Sequence, residues 1–130
     1  MTKKILIVDD DPDVRVFNSS VVEDLGYTPI EASNGVDGLN MVKKERPDLV
    51  LLDVMMPKQT GLRMYRELMD QKALKHIPVV IVSGIAKKTF LRSQKALTEF
   101  GGSEVPEPSA YLEKPVDPEV LADTIKKFLA

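Results

Sequence analysis

Short runs of aliphatic residues alternate along this chain with longer segments in which apolar residues recur every three or four positions. The clearest runs occupy residues 5–8, 49–52 and 79–82. Runs this short, with no polar residue in alternate positions, predict strands covered on both faces, as in a parallel sheet. Weaker strand patterns at 28–32 and 110–113 are expected nearer the edges of that sheet.

The intervals between the runs predict five helices. Gly26 and Pro47 are placed to end the first two helices, and the Asp-Pro pairs at 11–12 and 117–118 are placed to begin the first and the last. Residues 101–109, which contain two glycines and two prolines, are expected to form an extended loop after the fourth helix. Each predicted helix has apolar residues along one face. These residues are, from the first helix to the fifth, Val14, Phe17, Val21 and Leu25; Leu39 and Val42, following Gly38; Leu62, Tyr65, Leu68 and Met69; Phe90, Leu91 and Leu97; and Leu121, Ile125 and Phe128.

Five strands alternating with five helices predict an α/β fold. Such alternation requires right-handed crossovers, which place a parallel sheet between two layers of helices. A length of 130 residues is typical of one domain and is enough to bury a core without disulfides. We therefore expect a single domain over residues 1–130.

Composition excludes several kinds of site. The absence of cysteine excludes disulfides, thiolate catalysis and Cys-ligated metals, and the single histidine, His76, excludes a multi-histidine metal site. With 18 basic and 20 acidic side chains, the chain has no electrostatic case for direct binding to nucleic acid. No apolar run is long enough for a signal peptide or a membrane span, so we expect a cytoplasmic protein without membrane insertion.

Polar residues follow the strong strands directly. In an open α/β sheet, ligands bind beyond the carboxyl ends of the strands. Asp9 and Asp10 follow the first strand, Asp53 the third and Ser83 the fourth. Lys114 follows the fifth strand, so we expect all these side chains to meet at one edge of the sheet.

This set of side chains favours chemistry on a phosphoryl group. Carboxylates without histidine or cysteine indicate a hard cation, usually Mg²⁺. A lysine and a hydroxyl opposite the ion would neutralise the charge of an incoming phosphoryl group. Asp53 ends the strand expected at the centre of the sheet, which makes it the candidate nucleophile for an aspartyl phosphate.

Taken with the segment DVMMP at residues 53–57 and with Gly61, these residues resemble a response-regulator receiver domain of two-component signalling, of the CheY-like, stand-alone type. The resemblance extends over residues 4–129. It implies a flavodoxin-like, doubly wound (βα)5 fold whose five-stranded parallel sheet has the order 2-1-3-4-5.

The resemblance also implies roles for the acidic residues. Asp53 is expected to be the phosphoacceptor. Asp9 and Asp10 are expected to bind Mg²⁺, with Asp10 the more direct ligand. Asp53 itself and the backbone carbonyl of Met55 would complete the protein ligands.

The remaining implied roles concern switching. Ser83 matches the hydroxyl that moves toward the phosphoryl group, and Lys114 matches the lysine that pairs with it. Tyr111 matches the aromatic residue whose rotamer follows the switch. The Lys114-Pro115 bond is expected to be cis.

The implied function is that of a phosphoacceptor in a His-Asp phosphorelay. The phosphoryl donor would be a histidine kinase or a histidine phosphotransfer protein, and phosphorylation would switch a face that binds an unknown downstream protein. The fifth predicted helix runs to the C-terminus, so we expect no effector domain. The resemblance implies no enzymatic activity beyond self-phosphorylation and self-dephosphorylation. The interval from Ser83 to Lys114 is longer than is usual in the family, so the usual output surfaces do not carry over directly.

Three alternatives remain open from the residues alone. Asp9 and Asp11 have the spacing of a Mg²⁺-dependent phosphohydrolase of the haloacid-dehalogenase type, although the expected threonine and a cap domain are missing. A flavodoxin-like electron carrier would share the fold, but the acidic cluster would repel a flavin phosphate. The third alternative is a receiver domain that acts as an adaptor without phosphorylation.

Overall fold

The structure, a computed structural model, describes residues 2–99 and 105–129. The strands are β1 (Lys4–Val8), β2 (Thr28–Ala32), β3 (Leu49–Leu52), β4 (Val79–Ser83) and β5 (Ala110–Glu113). The helices are α1 (Pro12–Asp24), α2 (Gly35–Glu45), α3 (Thr60–Asp70), α4 (Lys87–Glu99) and α5 (Pro118–Leu129), with a single 3-10 turn at Pro57–Gln59 before α3.

The strands form one parallel sheet in the order β2-β1-β3-β4-β5, which confirms the predicted fold class and strand order. As expected, the weaker strands β2 and β5 are the edges. The central pairing aligns Val8 of β1 with Leu52 of β3. Because these two residues are the last of their strands, Asp9 and Asp53 leave the sheet side by side.

The core consists of two apolar clusters, one on each face of the sheet. Alternate residues of β1 point to opposite faces, so Ile5 and Ile7 pack on one side while Leu6 and Val8 pack on the other. One cluster receives side chains from α1 and α5, and the other receives side chains from α2, α3 and α4. Burial on both faces explains why the strand sequences are continuous apolar runs.

The helix ends follow their capping residues. Asp11 accepts a hydrogen bond from the Asp13 amide at the start of α1, as the Asp-Pro pair predicted. The second helix begins at Gly35, earlier than its apolar stripe indicated, because Asn34 caps it by accepting the Asp37 amide at 2.8 Å.

Two helical stripes differ from the prediction. In α1, Phe17 is 42% exposed while Asn18 beside it is buried, and in α4, Leu97 is 43% exposed while Gln94 is buried. Gln94 is satisfied in part by the Arg66 guanidinium of α3, which donates to its side-chain oxygen at 2.7 Å. The expected end of α4 at residue 101 and the first part of the expected 101–109 loop lie outside the described residues.

Over residues 2–99 and 105–129, none of the helices has the length and apolar character needed to cross a membrane.

Candidate functional site

The predicted site residues lie at the carboxyl edge of the sheet, where β1, β3, β4 and β5 end. The Asp53 amide donates to the Val8 carbonyl at 2.9 Å, and the Lys114 amide donates to the Ser83 carbonyl at 2.8 Å. These backbone bonds extend the strand pairing by one residue on each side of the site. The strand registers therefore fix the positions from which the side chains project.

An acidic cluster forms the centre of this edge. Asp9, Asp10 and Asp53 each offer a carboxylate oxygen, and these oxygens lie within 4.8 Å of one another. Asp9 and Asp53 are 2% and 5% exposed, whereas Asp10 faces solvent. Like charges this close repel one another unless a cation intervenes, and a purely oxygen donor set suits Mg²⁺.

Local backbone bonds orient the two buried carboxylates. Asp9 Oδ1 accepts the Asp11 amide at 2.9 Å, and Asp53 Oδ1 accepts the Met55 amide at 2.8 Å. The second oxygen of each carboxylate is thereby directed toward the interior of the site. The Met55 side chain is 58% exposed, while Met56 is buried in the core.

Lys114 reaches into the acidic cluster. Its Nζ lies 2.8 Å from Asp9 Oδ2 and 3.3 Å from Asp53 Oδ2. Burial disfavours the charged ammonium, but the hydrogen bond to Asp9 and the charges of Asp53 and Asp9 outweigh that effect, so the pKa of Lys114 is raised. The lysine is therefore a permanent cation at neutral pH. The Lys114-Pro115 bond is cis, as expected.

Ser83 and Tyr111 are joined through one residue. Ser83 is fully buried, and its Oγ accepts the Ile85 amide at 3.4 Å, while the Tyr111 hydroxyl donates to the Ile85 carbonyl at 2.7 Å. Burial raises the pKa of Tyr111 to about 12, with further contributions from the charges of Glu113 and Asp53. The phenol therefore stays neutral and remains a hydrogen-bond donor.

Two residues that support the site, Arg15 and Glu113, were not predicted from the sequence. Arg15 Nη1 donates to the Asp9 carbonyl at 2.6 Å, and its Nε pairs with Glu31 at 3.1 Å. Glu113 Oε1 accepts the Lys87 amide at 2.8 Å and so ties the start of α4 to β5. The position of Arg15, one turn after the Asp11 cap, is the only signal that could have indicated its contact with the loop after β1.

Gly61, which the sequence pattern singled out, is required by close packing. A Cβ at this position would lie 2.2 Å from the Asp53 carbonyl oxygen and 2.7 Å from the Val54 Cα. The start of α3 therefore lies directly against the backbone that carries Asp53. Only a residue without a side chain permits that approach.

Comparisons with known proteins agree with this geometry. Residues 5–126 match the family described as response regulator receiver domain. The chain is 33% identical over 130 residues to the polar-differentiation response regulator DivK of Brucella anthropi, covering 99% of this chain and 98% of that protein.

Two solved structures show the same fold. The chemotaxis response regulator CheY4 of Vibrio cholerae is similar with a TM-score of 0.81 and 26% identity, covering 98% of this chain and 99% of that one. A CheY-like response regulator receiver domain protein from Methanospirillum hungatei has a TM-score of 0.78 and 27% identity, covering 98% of this chain and 93% of that one.

Proposed function

This chain belongs to the response regulator receiver domain family, the phosphoacceptors of two-component signalling, and from that premise we propose that Asp53 is the residue that becomes phosphorylated. The observation that carries the proposal is the position of Asp53 at the end of the central strand β3, beside Asp9 and with Lys114 Nζ at 3.3 Å. The proposed phosphoryl donor is the phosphohistidine of a histidine kinase or a histidine phosphotransfer protein.

In the proposed reaction, a carboxylate oxygen of Asp53 attacks the phosphorus of the phosphohistidine. An O–P bond forms as the P–N bond breaks, and the imidazole leaves with the electron pair of that bond. Lys114 supplies positive charge where the equatorial phosphoryl oxygens gain negative charge in the transition state. Asp9 accepts a hydrogen bond from Lys114 at 2.8 Å and so keeps the ammonium beside Asp53.

The donor set fits Mg²⁺, which Asp9, Asp10, Asp53 and the backbone carbonyl of Met55 would hold. When bound, Mg²⁺ neutralises negative charge on the carboxylates and on the phosphoryl oxygens. Asp10 is the most exposed of the three acids, which leaves one side of the cluster open to an incoming phosphohistidine.

Phosphorylation would change the hydrogen bonds of the loop after β4. We propose that the Ser83 hydroxyl turns from the Ile85 amide toward a phosphoryl oxygen, which moves the Ile85 peptide and with it Tyr111. Those new contacts exist in only one of two conformers, so phosphorylation shifts the population between them. The shifted population presents a different face to a downstream protein partner.

The family assignment does not favour the rival enzymatic function. A phosphohydrolase of the haloacid-dehalogenase type would use Asp9 as its nucleophile, whereas residues 5–126 match the receiver-domain family. The family assignment agrees with a protein whose only reactions are its own phosphorylation and dephosphorylation. The single-domain organisation over residues 1–130 and a cytoplasmic location stay predictions.

The test is to incubate the protein with Mg²⁺ and a small phosphodonor such as phosphoramidate, and to follow the intact mass. The wild-type protein is expected to gain one phosphoryl group that hydroxylamine removes, as it does from an acyl phosphate. Asp53→Asn should gain none, while Asp117→Asn, an exposed helix cap away from the acidic cluster, should be labelled normally. Full labelling of Asp53→Asn, or a hydroxylamine-resistant product, would refute the proposal.

A further inference from the structure

Three aromatic rings, one each from α3, α4 and β5, pack against one another in sequence. The ring centroids of Tyr111 in β5 and Phe90 in α4 are 5.6 Å apart, and those of Phe90 and Tyr65 in α3 are 5.7 Å apart. Phe90 and Tyr65 are fully buried. Each ring thus contacts the next without solvent between them.

One end of this row touches the candidate switch, and the other touches the chain before β5. At the first end, the Tyr111 hydroxyl donates to the Ile85 carbonyl, two residues after Ser83. At the other end, the Tyr65 hydroxyl donates to the carbonyl of Pro106. The row therefore links the loop after β4 to residues that are 41 positions away from Tyr65 in the sequence.

The bond to Pro106 is well suited to transmit a displacement. Burial raises the pKa of Tyr65, and the charge of Glu107 raises it further, so its hydroxyl remains a neutral donor. Just after Pro106, the chain is anchored to β4, because the Ser109 amide donates to the Val79 carbonyl at 2.9 Å. The peptide between Pro106 and Glu107 is thus positioned by the Tyr65 hydroxyl on one side and by a strand on the other.

We propose that Phe90 and Tyr65 act as a relay that makes the position of the Pro106–Glu107 peptide depend on the phosphorylation state of Asp53. The physical reason is ring contact: the Tyr111 ring packs against Phe90 and the Phe90 ring packs against Tyr65, so a shift of Tyr111 displaces Phe90 and then Tyr65. The inference rests on the proposed function, and the relay would give residues 105–108 a surface that reports phosphorylation.

Backbone amide resonances provide the test, since the Glu107 amide belongs to the same peptide unit as the Pro106 carbonyl. Spectra are recorded for the ¹⁵N-labelled full chain with Mg²⁺, before and after addition of beryllofluoride as the phosphoryl mimic. In the wild-type protein, we expect both the Gly84 amide at the site and the Glu107 amide to shift.

Tyr65→Phe removes only the hydroxyl and keeps the ring against Phe90. In this variant, we expect the Gly84 response to stay as in wild type and the Glu107 response to fall below half. Phe90→Leu removes both ring contacts but leaves the Tyr65 hydroxyl in place, and it should weaken the Glu107 response in the same way. Tyr27→Phe is the matched control, because Tyr27 packs on the opposite face of the sheet and should leave both responses unchanged.

The outcomes separate the relay from the function on which it rests. If Gly84 responds but Glu107 does not, or if Glu107 responds fully in Tyr65→Phe, the relay is wrong and the proposed function stands. If neither amide responds to beryllofluoride in the wild-type protein, the proposed function itself is refuted, and the relay falls with it.

Discussion

Replacing Gly61 by alanine should disturb the fold and the site together. The added Cβ would lie 2.2 Å from the Asp53 carbonyl oxygen and 2.7 Å from the Val54 Cα, whereas ordinary contacts begin at 3.4 Å. Both opposing atoms belong to the backbone, so no side-chain rotation can relieve the overlap. The start of α3 and the end of β3 must therefore separate by about 1 Å, a displacement of the kind that overpacked cores accommodate at a cost of about 1–3 kcal/mol.

This cost predicts a measurable change in melting temperature. An unfolding entropy of about 2.1 cal/mol/K per residue gives about 0.27 kcal/mol/K for a chain of this length. The Gly61→Ala variant should thus melt about 4–11 °C below wild type, as measured by circular dichroism or calorimetry. Because the displaced backbone is that of Asp53, its carboxylate also moves relative to Asp9 and Asp10, and Mg²⁺ should bind more weakly in a calorimetric titration.

Gly84→Ala is the control for stability. The nearest atom to a Cβ at Gly84 is the Met55 Sδ at 3.9 Å, an ordinary contact, so its free energy of unfolding should stay within about 0.5 kcal/mol of wild type. A Gly61→Ala protein with wild-type melting temperature and wild-type Mg²⁺ affinity would show that the packing between α3 and the Asp53 backbone does not set the geometry of the site.

Three further predictions concern charge and hydrogen bonding. Asp10→Asn should raise the free energy of unfolding of the metal-free protein by about 1 kcal/mol, because it relieves a solvent-screened repulsion among three carboxylates. The same change should abolish most of the stabilisation by Mg²⁺, and urea unfolding with Mg²⁺ or with EDTA measures both effects. The pKa of Tyr111 is raised to about 12 from its usual 10.0, so its contribution to the free energy of unfolding is complete below pH 10 and is lost as the pH rises toward 12. Tyr111→Phe should flatten that decline, and an identical decline in both proteins would contradict the assignment. Arg15→Met should lower the free energy of unfolding by about 1–2 kcal/mol, because it removes the hydrogen bond to the Asp9 carbonyl. A urea midpoint unchanged from wild type would show that this contact does not contribute to stability.

The sequence predicted the sheet and its functional edge because both depend on apolar residues in short runs. Each strong run packs on both faces of the sheet, and in β1 and β3 the first polar residue after the run, Asp9 or Asp53, marks the carboxyl end. Ser83 instead closes its own strand, β4, so the same rule misplaces that boundary by one residue.

The helix faces were harder to predict because hydrophobic periodicity ignores buried polar side chains. In α4, Leu97 was expected to face the core but is exposed, and Gln94 is buried instead. The Arg66 guanidinium of α3 donates a hydrogen bond to the Gln94 side-chain oxygen. Asn18 similarly takes the buried position next to Phe17 in α1. The partners that stabilise such amides are set by tertiary structure, which the local pattern does not contain.

Long-range polar contacts were equally absent from the sequence pattern. The bond between Tyr65 and Pro106 joins two elements 41 residues apart. No spacing rule connects a tyrosine on a helix stripe to a carbonyl in the chain before β5. Such a contact follows only once the strand order has placed α3 beside the chain that leads into β5.

The bond between Glu113 and the Lys87 amide has a mechanical consequence. The first turn of α4 is fastened to the residue immediately before Lys114, so the helix and the lysine share one support. A helix of 13 residues is about 20 Å long, and a tilt of about 5° at its first turn displaces its far end by nearly 2 Å. A small rotation of one peptide beside the lysine is therefore magnified by the helix into a movement that a protein bound at its distal end could sense.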